Sequence, residues 1–189
     1  MYFGILLFCI FSIIFFNLLF SFTWTMALNL FLGFVIVLVP SLIPAILIRL
    51  LPKKWFNPDN NIYNVNKKES NFLIKLGIKK WKDKVPELGK LVNFKKDKIY
   101  DVNNPKYLEK FLIETCYAET LHILCIVTAL VAMFFMPNGC FWNIAFPIAI
   151  VYSVYNIPSI LIQRFNRPRL KVQLKYLTKK NKNDIINAI

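Results

Sequence analysis

The chain has 189 residues, of which 57% are hydrophobic and only 5 are glycine, and it carries a formal charge of +14. An ordinary soluble domain is less apolar, and a disordered chain has few aromatic residues, so both classes are excluded. What remains is an all-α, polytopic integral membrane protein with segregated charge: no Asp, Glu, Lys or Arg lies between Met1 and Ile48, or between Thr120 and Gln163.

About 20 apolar residues cross the roughly 30 Å of bilayer hydrocarbon, so each uncharged region holds two crossings and a tight turn. The sequence predicts about four transmembrane helices in two hairpins, at about 3–21, 27–51, 119–137 and 141–163, with turns at "SFTW" and "PNGC". This divides the chain into a first transmembrane hairpin (1–51), a cytoplasmic basic segment with an amphipathic helix (52–112), a second hairpin (113–163) and a basic cytoplasmic tail (164–189). The lysine and arginine bias puts both basic segments and both termini on the cytoplasmic side of the cell membrane. A signal peptide is the alternative for the first span, but it lacks a basic n-region and a small-residue cleavage site.

In the second span, "VPSLIP" places Pro40 and Pro44 four apart, which predicts a kink or break. Beyond it, Phe72, Leu73, Leu76, Trp81 and Val85 form an apolar stripe among lysines, the pattern of a helix lying in the headgroup plane. Residues 86–106 are polar and aperiodic and predict a loop. "PKYLEKFLIETCYAETLH" then restarts a helix that continues into the third span.

At 100° per residue, Glu114, His122, Thr115 and Glu119 fall at about 0°, 80°, 100° and 140°, one face of that helix, and Glu119 can touch His122 as an i, i+3 pair. His122 is the chain's only histidine. A carboxylate beside an imidazole orients the ring for general-base work, so the pair suits activation of a substrate hydroxyl. In the fourth span Asn156 and Gln163 share a face. Arg164, Asn166, Arg167 and Arg169 follow, with Pro158 and Pro168 predicting irregular geometry. Amides and arginines of this kind can hold an acyl carbonyl and a donor's phosphates. Both polar groups are expected at the same membrane depth, where they could form one site.

Cys9, Cys116, Cys125 and Cys140 contain no CxxC pair, and with one histidine no metal ligand set is credible. A small membrane methyltransferase or reductase would need a nucleotide cofactor; the sequence shows no glycine-rich phosphate loop, though membrane families of that kind often lack one. A non-catalytic adaptor that binds anionic lipid or a partner membrane enzyme is the main rival to an enzyme.

"IKKWKDKVPELG" (78–89), "ETCYAETLH" (114–122) and "NIPSILIQRFNRPRL" (156–170), in this order and spacing, resemble the glycosyl-4,4'-diaponeurosporenoate acyltransferase family over about residues 40–175. The namesake of that family completes the carotenoid staphyloxanthin, and its membership is broader than carotenoid makers. The resemblance implies transfer of a fatty acyl group from a coenzyme A or carrier thioester to a hydroxyl of a glycosylated lipid, a carotenoid glycoside or related glycolipid, without a cofactor. The partners implied are membrane lipids, that acceptor and that donor, and no nucleic acid. It points to His122, Glu119, Glu114 and Thr115 as catalytic. Asn156, Gln163, Arg164, Asn166, Arg167, Arg169, Trp81 and Lys82 are the substrate-binding residues it implies. The family pattern has a basic residue after the Glu-Thr pair, where this chain has Cys116 and Tyr117.

Overall fold

A computed structural model describes residues 10–12, 14–15, 24–85, 103–136 and 140–187. The described residues are helical, with no strand among them, and they include three segments long and apolar enough to cross a membrane: Thr25–Leu47, Pro105–Phe135 and Phe141–Asp184. Most of the first expected span (3–21), the SFT of the first turn, the PNG of the second and most of the 86–106 loop lie outside the described residues. The chain divides into two compact units. The first comprises Met1–Leu51 and Thr120–Ile160, the second Pro52–Glu119 and Leu161–Ile189.

In the first unit, α1 (Trp24–Leu38) stops at the first proline. Pro40 has no N–H for the helical ladder and disfavours the helical region for the residue before it. The Ser41 hydroxyl donates to the carbonyl of Leu38 at 2.6 Å, which satisfies one acceptor stranded at the break. A second helix, α2 (Leu42–Leu47), starts at once. Pro44 sits in its first turn, where a missing N–H costs nothing, so of the two prolines only Pro40 interrupts the span.

Val37, Ala129, Met133, Ile144, Ala145, Ile148 and Ala149 form the core of this unit. Gly33 is there because nothing larger fits: a Cβ at this position would lie 2.7 Å from Ile144 Cγ2. Ile144 belongs to a π-helical turn, Phe141–Ala145, that leads into the long last helix.

The second unit begins with 3-10 turns at Lys53–Phe56 and Asn61–Tyr63. Next comes α3 (Lys67–Lys75), whose first turn is capped by Asn66 accepting from Glu69 N–H at 2.8 Å. The single amphipathic helix expected over 72–85 is divided. Gly77 adopts φ +64, a left-handed conformation that ends α3, and α4 (Ile78–Trp81) starts beyond it. The apolar stripe divides with it: Leu73 and Ile78 are buried with Ile162 and Phe165, while Phe72 and Leu76 are exposed.

α5 (Pro105–Ala132) starts as expected, with Asn104 Oδ1 accepting from Tyr107 N–H at 3.3 Å and Pro105 in the first helical position. The last helix, α6 (Phe146–Asn187), is 42 residues long and runs unbroken through Pro158 and Pro168. At 1.5 Å per residue it is about 63 Å long, twice the hydrocarbon thickness. Neither proline ends the helix. Beyond Pro168, Leu170, Leu174 and Leu177 pack against Leu108, Phe111 and Leu112, and that burial outweighs the hydrogen bond missing at Pro168.

Candidate functional site

Two polar clusters stand out, one in each unit. In the first unit α5 carries His122 and α6 carries Asn156, whose side chain is buried. Asn156 Nδ2 donates to the Tyr152 carbonyl one turn back at 2.8 Å, and its Oδ1 lies 2.8 Å from His122 Nδ1. Because a backbone carbonyl can only accept, this anchor fixes which end of the amide faces the ring. Oδ1 must in turn receive a proton from Nδ1, so the neutral ring is the Nδ1–H tautomer and its lone pair is on Nε2.

Tyr152 also links this pair to the helix break, since its hydroxyl donates to Ser41 Oγ at 2.8 Å. The Cys125 thiol points at the Ser41 carbonyl at 3.6 Å. Hydrogen bonds thus run from the Pro40 break through Tyr152 and Asn156 to the histidine. Ser41 and Tyr152 were not legible as members of a site, because a lone serine or tyrosine in an apolar run carries no pattern.

In the second unit the central group is Glu119, 2% exposed. Arg164 Nη1 donates to its Oε1 at 2.6 Å and Arg167 Nη2 to its Oε2 at 2.5 Å. Arg164 also pairs with Glu69, at 2.9 Å from Nη2 to Oε2, and reaches the carbonyls of Ile62 and Asn64. Arg167, 1% exposed, donates in addition to the Thr115 hydroxyl at 3.1 Å, the Thr115 carbonyl at 3.2 Å and the Tyr63 carbonyl at 2.8 Å. The Thr115 hydroxyl donates to Leu112 O at 2.6 Å. Two buried or half-buried arginines therefore face two carboxylates, and their donors also hold the 62–64 backbone. Lys171 extends the same strap to Pro58 O and Asp59.

These contacts change what each expected residue can do. Both oxygens of Glu119 are held by arginines, and Asn156 is the partner on His122 Nδ1. Arg167 is a buried structural cation, since binding a donor phosphate would require giving up Glu119. Thr115 is its neighbour in the same network. Arg169 is exposed at the surface, its guanidinium 3.5 Å above the Phe165 ring.

Glu114 is half-buried on α5, and Asn166 is half-buried on α6. Trp81 packs beside Leu73 and Ile78 and donates its indole N–H to Leu76 O at 3.2 Å, while Lys82 pairs with its neighbour Asp83. Gln163 is buried on α6. Sequence reasoning missed Glu69 and Tyr63. Glu69 had a signal, the Asn66-x-x-Glu69 capping box, but it indicates a helix start and gives no hint of an arginine 95 residues away.

Residues 52–175 match the family model for glycosyl-4,4'-diaponeurosporenoate acyltransferase. A glycosyl-4,4'-diaponeurosporenoate acyltransferase of Staphylococcus aureus strain Newman is 33% identical over 109 residues, covering 54% of this chain and 60% of that protein. The protein of the same description from strain MRSA252 is 31% identical over 139 residues, covering 69% of this chain and 78% of its own. The chain thus spans about 60% of the length of the first of these curated relatives. No solved structure matches.

Proposed function

This chain belongs to the glycosyl-4,4'-diaponeurosporenoate acyltransferase family, and from that membership and the His122–Asn156 pair we propose that it is a membrane O-acyltransferase. It moves a fatty acyl group from a thioester donor to a hydroxyl of a glycosylated lipid. The acceptor in the relatives' name is a carotenoid glycoside, and that is the acceptor proposed here. The basic segments and both termini face the cytoplasm, where acyl thioesters are available.

His122 is the general base. Its Nε2 takes the proton of the acceptor hydroxyl as that oxygen attacks the thioester carbonyl. The tetrahedral intermediate then collapses, breaking the C–S bond, and the imidazolium returns the proton to the departing thiolate. Atoms and charge balance without a cofactor. Asn156 keeps the ring in the Nδ1–H tautomer that leaves Nε2 as the base, and Glu119 and Thr115 act indirectly, by fixing Arg167. Arg169 and the exposed lysines after it on α6 suit the phosphates of a donor such as coenzyme A.

The observation that carries this reading is the anchored Asn156 amide 2.8 Å from His122 Nδ1. Ionisable side chains in apolar spans are costly enough that function is the default explanation for them. The test is palmitoyl transfer from palmitoyl coenzyme A to a glycosylated carotenoid by the full chain in lipid nanodiscs. His122→Ala should lower the rate about 10²–10⁴-fold, and a variant that inserts normally and keeps the full rate would refute the assignment.

A further inference from the structure

In the second unit much of the apolar stripe expected to face lipid is turned inward: Leu73, Trp81 and Val85 pack with Ile78, Ile162 and Phe165. A different apolar set is left outside. Trp55, Ile62, Phe72 and Ile74 are each more than half exposed, and Leu76 is exposed as well. On the outer face of α3, opposite Leu73, Lys68 and Lys75 lie between Ile74 on one side and Phe72 and Leu76 on the other. Ile62 lies beside this helix, because Arg164 bonds both the Ile62 carbonyl and Glu69 in the first turn of α3.

The charge around this set is one-sided. From Lys53 to Trp81 the chain has seven lysines, all exposed, and two acids, Asp59 and Glu69. Cations of α6 match both acids: Lys171 Nζ lies 2.8 Å from Asp59 Oδ1, and Arg164 Nη2 donates to Glu69 Oε2 at 2.9 Å. Among the described residues none of the seven lysines pairs with an acid. The surface therefore carries uncompensated positive charge with large apolar side chains standing out of it.

We propose that this surface of the 53–81 segment docks on an anionic lipid bilayer, its apolar side chains entering the edge of the acyl region and its lysines meeting headgroup phosphates. Lysine stems lie along apolar surface while their ammonium groups reach the headgroups, and each lysine near such a surface adds to the attraction. An acidic polymer in water would satisfy the lysines but leave Phe72 and Leu76 wet. A bilayer takes both. The surface is also within reach of one, since five residues separate Lys53 from Leu47, the end of the membrane-spanning segment, and even fully extended they reach only about 20 Å. This goes beyond the catalytic reading and does not rest on it.

The test uses the full chain in nanodiscs of equal parts phosphatidylcholine and phosphatidylglycerol, with the photoreactive residue benzoylphenylalanine in place of Phe72 or, separately, of Leu76. Irradiation should join each to phospholipid through an acyl chain. Phosphatidylglycerol should be enriched about fivefold over phosphatidylcholine, the preference that one lysine at an anionic surface supplies. Lys75→Glu, Lys79→Glu and Lys80→Glu together should abolish that enrichment at an unchanged unfolding temperature. No lipid adduct at either position, adducts in the bulk lipid ratio, or enrichment unchanged by the charge reversal would each overturn the proposal. So would labelling of a protein, and no lipid, when the same chain is irradiated in its host cells. Acyl transfer enters none of these readouts, so a failure of the catalytic reading leaves them unaffected.

Discussion

Replacing Glu119 with alanine should destabilise the protein by about 3–5 kcal/mol, the cost of removing one partner of a buried ion pair. The carboxylate is 2% exposed and bonds Arg164 at 2.6 Å and Arg167 at 2.5 Å. Arg164 would keep Glu69 and some contact with water. Arg167, 1% exposed, would keep only neutral acceptors, the Thr115 hydroxyl and carbonyl and the Tyr63 carbonyl, so the cost falls on its uncompensated charge. For a chain of this size the loss corresponds to roughly 6–20 °C in unfolding temperature. The double variant Glu119→Leu with Arg167→Met should recover much of the loss, because removing both charges leaves neither buried alone. The assay is thermal unfolding in nanodiscs with transfer activity measured in parallel. If Glu119→Ala unfolds at the wild-type temperature yet has lost activity, the structural account of Glu119 is wrong and the carboxylate acts on the reaction directly.

Gly33→Ala should destabilise by about 1–3 kcal/mol despite the better helix propensity of alanine, because the new Cβ would lie 2.7 Å from Ile144 Cγ2; thermal unfolding reads it, and a stabilised variant would refute the close approach. Phe56→Ala should cost about 3–5 kcal/mol, since the ring is 1% exposed and stacked 3.9 Å from Tyr117, and an unchanged unfolding temperature would contradict that packing. Asn156→Leu should lower transfer about 10–100-fold with His122 still present, by freeing the ring to take the other tautomer. Full activity in that variant would remove Asn156 from the account.

Most of the helical framework was legible because local rules decide it. Charge segregation marked the apolar helices, Pro40 the break in the second span, and Asn104-Pro105 the start of α5. The division at Gly77 was not read, because a stripe of helical period runs across it and a lone glycine within such a stripe does not by itself mark a break. The course of α6 through Pro168 could not be read, because Leu108, Phe111 and Leu112 on α5, far away in sequence, pack against it just beyond that proline. Glu119 shows the same limit. A helical wheel shows only partners on its own helix, so it offered His122, whereas Arg164 and Arg167 lie 45 and 48 residues further along the chain.

The most direct test of the account compares, by mass spectrometry, lipids from a host that makes the glycosylated carotenoid and expresses either the wild-type chain or His122→Ala at equal membrane levels. The account predicts a glycoside heavier by one fatty acyl unit in wild-type cells, with the unacylated glycoside accumulating in the variant. Equal amounts of acylated product in both would contradict catalysis by His122, and no acylated product in wild-type cells would contradict acyl transfer to this acceptor.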